Sequence, residues 1–241
     1  MILASAAVIA IAVPTAAWLW FRAAPYGRHT TAGWGPLVGA RLGWILMESP
    51  SVLLFAWVFA HGALAAEPAR RLLAATWLLH YVHRTFIFPF RLRSPRPMPW
   101  LIVASGASFN VVNASINAGW IGGYGSYVLD DPRIWLGIAV FLVGFAINFH
   151  ADHVLIRLRD QGGGYRIPTG GLYRWITCPN YFGEMLEWAG WAIATLSLPG
   201  LAFFVFTAAN LAPRARTHHQ WYRERFPDYP PERRALIPGW F

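Results

Sequence analysis

Glu48 interrupts the apolar run Trp44-Ile45-Leu46-Met47-Glu48-Ser49-Pro50, and Tyr81 sits in a second such run, in His80-Tyr81-Val82-His83-Arg84-Thr85. An ionisable group inside a lipid-facing length of chain is expensive, so it faces a partner or a cavity and marks a site by default. Two further polar groups flank apolar segments. Asn148, Asp152 and Arg159 fall at i, i+4 and i+11, one face of a helix. Asn180, Glu184 and Glu187 fall at i, i+4 and i+7, a polar stripe on an otherwise apolar helix. Between them runs Asp160-Gln161-Gly162-Gly163-Gly164-Tyr165-Arg166-Ile167-Pro168-Thr169-Gly170-Gly171. Such a loop lets backbone N–H groups approach a phosphate while Arg166 adds a guanidinium fork. It is neither a Walker loop nor a dinucleotide fingerprint after a strand. A basic aromatic tail follows, with Arg214, Arg216, His218, His219, Tyr222, Arg223 and Arg225. A polyanion meeting Arg159, Arg166 and Arg214 while Glu48 and Tyr81 line a cavity between helices describes a soluble phosphorylated cofactor acting on an apolar substrate from the bilayer. The competing structural reading pairs Glu48 with His80, His83 or Arg84 and makes Tyr81 an interhelical hydrogen bonder. For the tail, it is a lipid-headgroup anchor. His150 and His153 read as interface residues rather than metal ligands.

The elements that must carry these groups follow from composition. The chain has 241 residues, 56% of them hydrophobic and 13% charged, against roughly 25% charged in an ordinary globular domain. So few charges cannot clothe a soluble surface, whereas lipid solvates an apolar exterior. Seven apolar stretches of spanning length are expected, at about 2–21, 42–61, 70–90, 100–128, 134–155, 181–197 and 199–212. The first lacks a basic region before its apolar run and reads as a retained helix rather than a signal peptide. The fourth should end in a non-helical loop. The last two are separated at Pro199-Gly200, although one kinked helix would read similarly. At ~1.5 Å per residue, Glu48 lies about 10 Å and Tyr81 about 15 Å from the same membrane face.

All 20 basic residues are Arg, and with 11 acids the formal charge is +9. Placing the C-terminus inside puts Arg22 and Arg28, Arg91, Arg93 and Arg96, Arg157, Arg159, Arg166 and Arg174, and the six from Arg214 to Arg234 on the cytoplasmic side. Only Arg70, Arg71 and Arg133 fall outside. The expected architecture is therefore an all-α integral membrane protein, a seven-transmembrane helix bundle with cytoplasmic cofactor-binding loops, in one domain over 1–241. Topology accounts for the basic excess, so nucleic acid is not the expected partner. Cys178 is the only cysteine, which excludes intramolecular disulfides and Cys-rich zinc or iron-sulfur sites.

Over roughly residues 40–241 the chain resembles the steroid 5α-reductase (3-oxo-5α-steroid 4-dehydrogenase) family. The likeness rests on Glu48-Ser49-Pro50-Ser51, His80 to Thr85, Arg96-Pro97, Asn148 with Asp152, Tyr165-Arg166-Ile167-Pro168 before Gly170-Gly171-Leu172, Asn180 with Gly183-Glu184 and Glu187-Trp188, Asp228-Tyr229-Pro230, and Ala235-Leu236-Ile237-Pro238. Met47 departs from the glutamine that commonly precedes this Glu in animal members.

The resemblance implies NADPH as cofactor, Glu48 as substrate-activating carboxyl and Tyr81 as its phenol partner. It further implies cofactor contacts at Arg96, Asn148, Asp152, Arg159, Tyr165, Arg166, Asn180, Glu184, Arg214, His218 and Tyr222, with Trp188 a wall of the pocket. The implied reaction reduces the 4,5 double bond of a 3-oxo-4-ene steroid, with hydride reaching carbon 5 while two donors in a dry pocket stabilise charge on the carbonyl oxygen. The alternatives are a membrane sterol or enoyl-thioester double-bond reductase, an S-adenosylmethionine-dependent membrane methyltransferase, and a lipid-binding or transport protein. All-Arg basicity points to a bacterial inner membrane.

Overall fold

The computed structural model describes residues 1–241 apart from 26, 32, 93–95, 161 and 163 and the side chain of residue 28. Arg93, the Arg28 side chain, and Gln161 and Gly163 of the glycine-rich loop thus lie outside the described residues. The apolar runs form helices: α1 (Ile2–Phe21), α2 (Ala40–Ala60), α3 (Pro68–Val82), α4 (Phe88–Arg91), α5 (Trp100–Gly123), α6 (Pro132–Asp160), α7 (Pro179–Thr195) and α8 (Leu198–Arg225). Proline stands in the first turn of α3, α6, α7 and α8, where its missing N–H costs nothing. Among the described residues, α1, α2, α5 and α6 are long and apolar enough to cross a membrane. With one two-residue antiparallel pairing among the described residues, β1 (Leu37–Val38) against β2 (Met98–Pro99), the chain is an all-α membrane protein.

The fourth stretch ends as a helix at Gly123 and continues as a loop. The last two stretches are separate helices, but the break falls at Leu196-Ser197, and Pro199-Gly200 lies in the first turn of α8. Leu196 takes a left-handed φ of 38°, and Ser197 Oγ caps α8 by accepting from the Gly200 N–H at 3.0 Å. The basic tail continues the last apolar stretch as one helix, since α8 runs 28 residues to Arg225. Pro213 removes one backbone bond, yet α8 is packed against α1 and α7, and Arg214 Nη1 donates to Asn210 Oδ1 at 3.1 Å across the defect. That continuity brings Arg214, His218 and Tyr222 back over the bundle.

Two local irregularities aim the site. Pro50 sits inside α2, two residues beyond Glu48, and frees the carbonyl of Leu46 from its usual helical bond. Between α3 and α4 lies a π-helical stretch, His83–Ile87, in which the Phe88 N–H reaches the His83 carbonyl. Pro89 has no N–H to return to the Thr85 carbonyl, and the wider turn displaces Arg84 toward α2. There its carbonyl accepts from Trp44 Nε1 at 3.0 Å.

The antiparallel α6 and α7 meet along glycines spaced by seven on each helix. A Cβ added at Gly144 would lie 2.5 Å from the Glu187 nitrogen, and one at Gly190 would lie 2.5 Å from the Gly137 oxygen. Only hydrogen fits there, and the close approach is the small-residue packing that membrane helices use. The aromatic core centres on Trp77, stacked on Phe55 at 4.7 Å and flanked by Trp188, Trp191 and Phe203 at 5.2–5.4 Å.

Candidate active site

Two adjoining cavities open between the helices. The first, about 350 Å³, is lined by Glu48 and Met47 from α2, His80 and Tyr81 from α3, Asn110 from α5, Glu184 from α7, and Phe203 and Phe206 from α8. Glu48 and Tyr81, 33 residues apart in sequence, thus share one mostly apolar chamber. Asn110 Nδ2 donates to Glu48 Oε2 at 3.1 Å and to the Met47 carbonyl at 2.8 Å. The Glu48 carboxyl is therefore oriented by an amide and not by an ion pair with His80, His83 or Arg84. Tyr81 is 4% exposed, its ring packed on Trp77 at 4.9 Å and Trp188 at 5.5 Å.

The second cavity, about 450 Å³, carries the cationic groups: Arg96, Arg159 and Arg214, with Asp152, Tyr165, Asn180, His218, Tyr222 and the backbone of Gly164. Both volumes fall in the ~300–1,000 Å³ range of small-molecule sites. Trp44, Arg84, Tyr181 and Arg214 line both cavities and so form the threshold between them. Arg84 is the hub. Its Nη1 meets Asp152 Oδ2 at 3.1 Å and its Nη2 lies 3.9 Å from Glu184 Oε2. Its guanidinium lies over Phe88 at 4.4 Å and Trp44 at 4.8 Å.

The remaining sites named from sequence fall around this junction. Asn148 donates to the Asn180 carbonyl at 3.0 Å, and Asn180 Nδ2 donates to Asp152 Oδ1 at 3.1 Å, so the polar faces of α6 and α7 are joined directly. Tyr181 OH accepts from Arg214 Nη2 at 3.0 Å and bonds His218 Nε2 at 3.1 Å. Tyr165 packs edge-on against Trp221, and Arg166 is exposed on the same loop without lining either cavity. Trp188, 1% exposed, lines neither cavity; it backs His80 and Tyr81 from the core. His153 bonds Arg91 Nη2 at 3.2 Å, while a Cβ at Gly171 would lie 2.8 Å from His150 Nε2.

The loop before α7 is clamped by the C-terminal segment. Thr177 and Cys178 donate their N–H groups to Arg234 and Ala235 at 2.8 and 3.1 Å. Thr177 Oγ1 also bonds His219 Nδ1 at 2.6 Å and Tyr229 OH at 2.7 Å. Burial pushes the His219 imidazole below its ordinary pKa, and Arg223 and Arg234 push it the same way.

Sequence reasoning left three site features out. Asn110 was one of several asparagines on α5 with no pattern pointing to Glu48. Arg84 reads from sequence as a pairing partner for Glu48, with nothing in its spacing that points to Asp152 or Glu184. The third is the pair His80 Nδ1 to Glu187 Oε2 at 2.7 Å, both side chains buried. The stripe of Asn180, Glu184 and Glu187 carried the only signal for it.

The donor set fits a phosphorylated nucleotide. Arginines and a glycine backbone line the polar cavity together with the carboxamide of Asn180 and the carboxylate of Asp152, while Glu184 lines the adjoining apolar chamber. Residues 96–241 match the sequence profile of 3-oxo-5-alpha-steroid 4-dehydrogenase. The chain is 44% identical to steroid 5-alpha-reductase DET2 of Arabidopsis thaliana, covering 93% of this chain and 90% of that protein. It is 42% identical to the protein of that name from Gossypium hirsutum, with 95% and 92% covered. To 3-oxo-5-alpha-steroid 4-dehydrogenase 1 of Bos taurus it is 41% identical, with 89% and 86% covered. Two cavities meeting at an arginine hub, together with this likeness along nearly the whole chain, identify an oxidoreductase acting on CH–CH bonds that belongs to the 3-oxo-5-alpha-steroid 4-dehydrogenase family.

Proposed function

We propose that this chain reduces the 4,5 double bond of 3-oxo-4-ene steroids to the 5α-dihydro products, with NADPH as reductant. The observation that carries the reading is the pair of joined cavities: an apolar chamber holding Glu48 and Tyr81 opens, past Arg84, into a chamber lined by arginines. An apolar enone enters the first from the bilayer, and a polyanionic dinucleotide enters the second from the aqueous side. NADPH, when bound, supplies hydride to carbon 5.

This chain's residues do the rest. Tyr81 and a protonated Glu48 donate hydrogen bonds to the 3-oxo oxygen, stabilising the enolate that forms as carbon 5 accepts the hydride. Asn110 holds the other Glu48 oxygen. The surrounding Trp77, Trp188 and Phe203 exclude water, which strengthens both donors. Arg159, Arg214, Tyr165 and Tyr222 hold phosphate and adenosine, while Asn180, Glu184 and Asp152 orient the carboxamide end; Arg166 and Arg96 add positive charge at the mouth.

The same reading includes seven spans, formed by the four long apolar helices together with α3–α4, α7 and the apolar part of α8, in one domain over 1–241. The cofactor chamber and C-terminus face the cytoplasm, where the arginine-rich segments lie.

The test is anaerobic incubation of detergent-purified protein with NADPH and progesterone or testosterone, with products compared to 5α and 5β standards. A 5α product is expected whose rate falls about 10²–10³-fold in Tyr81→Phe, the loss typical of one oxyanion donor, while Glu48→Gln keeps a donor but loses the acid and should lower the rate and alter its pH dependence. Wild-type turnover in both variants would refute the assignment.

A further inference from the structure

Reduction of an enone needs a proton at carbon 4 as well as a hydride at carbon 5, and Glu48 and Tyr81 are committed to the oxygen. We propose that His80, held by Glu187, delivers the carbon 4 proton; the proposal rests on the reductase reading above. His80 lines the apolar chamber next to Tyr81. Its Nδ1 bonds Glu187 Oε2 at 2.7 Å, which leaves Nε2 as the ring nitrogen available to anything bound there. The ring stands edge-on to Tyr81, 5.0 Å away at 77°, and to Trp188, 4.8 Å away at 66°, so its plane is held.

Glu187 decides the proton count. Its side chain is 0% exposed, and its second oxygen, Oε1, finds no hydrogen-bond partner among the described residues. Arg84, the nearby guanidinium, is engaged with Asp152 and Glu184. A carboxylate so buried and so thinly satisfied is costly unless a positive charge or a proton neutralises it. A neutral His80–Glu187 unit has two forms: imidazolium with carboxylate, or Nε2–H imidazole accepting from a carboxylic acid. Both carry a hydrogen on Nε2. An isolated histidine has no such bias between its two neutral tautomers.

In the step, the C3=C4 π pair of the enolate forms the new C4–H bond and the carbonyl re-forms. The Nε2–H bond breaks and leaves its pair on nitrogen. The proton shared with Glu187 ends on Nδ1, so His80 finishes neutral beside a carboxylate. A proton from water entering the chamber restores the pair. The sum is enone, reduced nicotinamide and one proton giving saturated ketone and oxidised nicotinamide.

Two readouts separate this role from a structural one. In D2O with NADPH, wild-type protein should place deuterium on one face of carbon 4. His80→Gln should label both faces and lose about 10²-fold in rate, the lower range for general acid catalysis. Glu187→Gln keeps a hydrogen bond to His80 but no proton, and should behave similarly. The second readout uses no cofactor. Wild-type protein in D2O should exchange one carbon 4 hydrogen of the saturated 3-ketone by the reverse step, and both variants should slow that exchange at least about tenfold. NADPH binding followed by fluorescence verifies that the variants are folded, and the wild-type exchange needs no variant at all. Absence of that exchange, or single-face labelling at wild-type rate in both variants, overturns the role of His80. If wild-type protein leaves the enones unreduced, the reductase reading falls and this role falls with it.

Discussion

The glycine seam between α6 and α7 sets the spacing of the whole polar cavity, and Gly144→Ala tests that dependence. A Cβ at Gly144 would lie 2.5 Å from the Glu187 nitrogen and 2.6 Å from the Gly183 oxygen, whereas ordinary contact begins at 3.4 Å. The obstructing atoms are backbone and cannot rotate away, so the helices must part by about 0.9 Å, the difference of 3.4 and 2.5. Across that seam Asn180 Nδ2 reaches Asp152 Oδ1 at 3.1 Å. Parting the helices would stretch it to about 4.0 Å, beyond a hydrogen bond. Overpacking of this kind costs ~1–3 kcal/mol, which lowers the melting temperature by on the order of 5 °C for a chain of this size. Loss of one positioned hydrogen bond, ~1 kcal/mol, should raise the NADPH Kd roughly five- to tenfold. The assays are thermal unfolding in detergent and fluorescence titration with NADPH. Gly123→Ala is the control, since nothing lies within 4 Å of a Cβ there; it should leave stability unchanged or raise it by up to ~1 kcal/mol. A Gly144→Ala protein with both wild-type melting and wild-type affinity would show that the seam does not set the site.

Arg84→Met should empty the threshold between the cavities, freeing Asp152 and Glu184 from their shared cation, and should raise the NADPH Kd by at least about tenfold with a smaller change in enone KM; steady-state kinetics read both. Arg70, 2% exposed, donates to the carbonyls of Ile121, Tyr124 and Gly125 at 2.6–3.0 Å and so caps α5. Arg70→Met should cost ~3–5 kcal/mol in unfolding measurements while leaving residual activity with unchanged product stereochemistry. His219 has a lowered pKa, so below its ordinary value of about 6.5 the unfolded chain takes up a proton that the folded protein refuses. Its contribution should be constant above about pH 6.5 and should cost stability progressively as pH falls below that. His219→Gln should flatten the slope of melting temperature against pH in that window, and an unchanged slope would remove His219 as its source.

What the chain alone determined was the set of helices and the sides that matter on them. Runs of apolar residues near spanning length marked the helical segments because lipid offers the backbone no other partners. The spacings 148, 152, 159 and 180, 184, 187 revealed their polar faces because a helix repeats every ~3.6 residues. Helix ends shifted where distant contacts outweighed local breakers, as when α8 passed through Pro213. Which faces meet was decided only by tertiary structure. Glu48 lies 62 residues from Asn110, and His80 lies 107 from Glu187; no periodicity links positions on different helices. Arg84 became the hub because a π-helical stretch redirected it, and Trp188 was withdrawn behind Tyr81 because the aromatic core around Trp77 claimed it. Helical periodicity is a property of neighbouring residues, whereas a cavity is made by the crossing of helices, and here that crossing is set by glycines whose role appears only once two backbones touch.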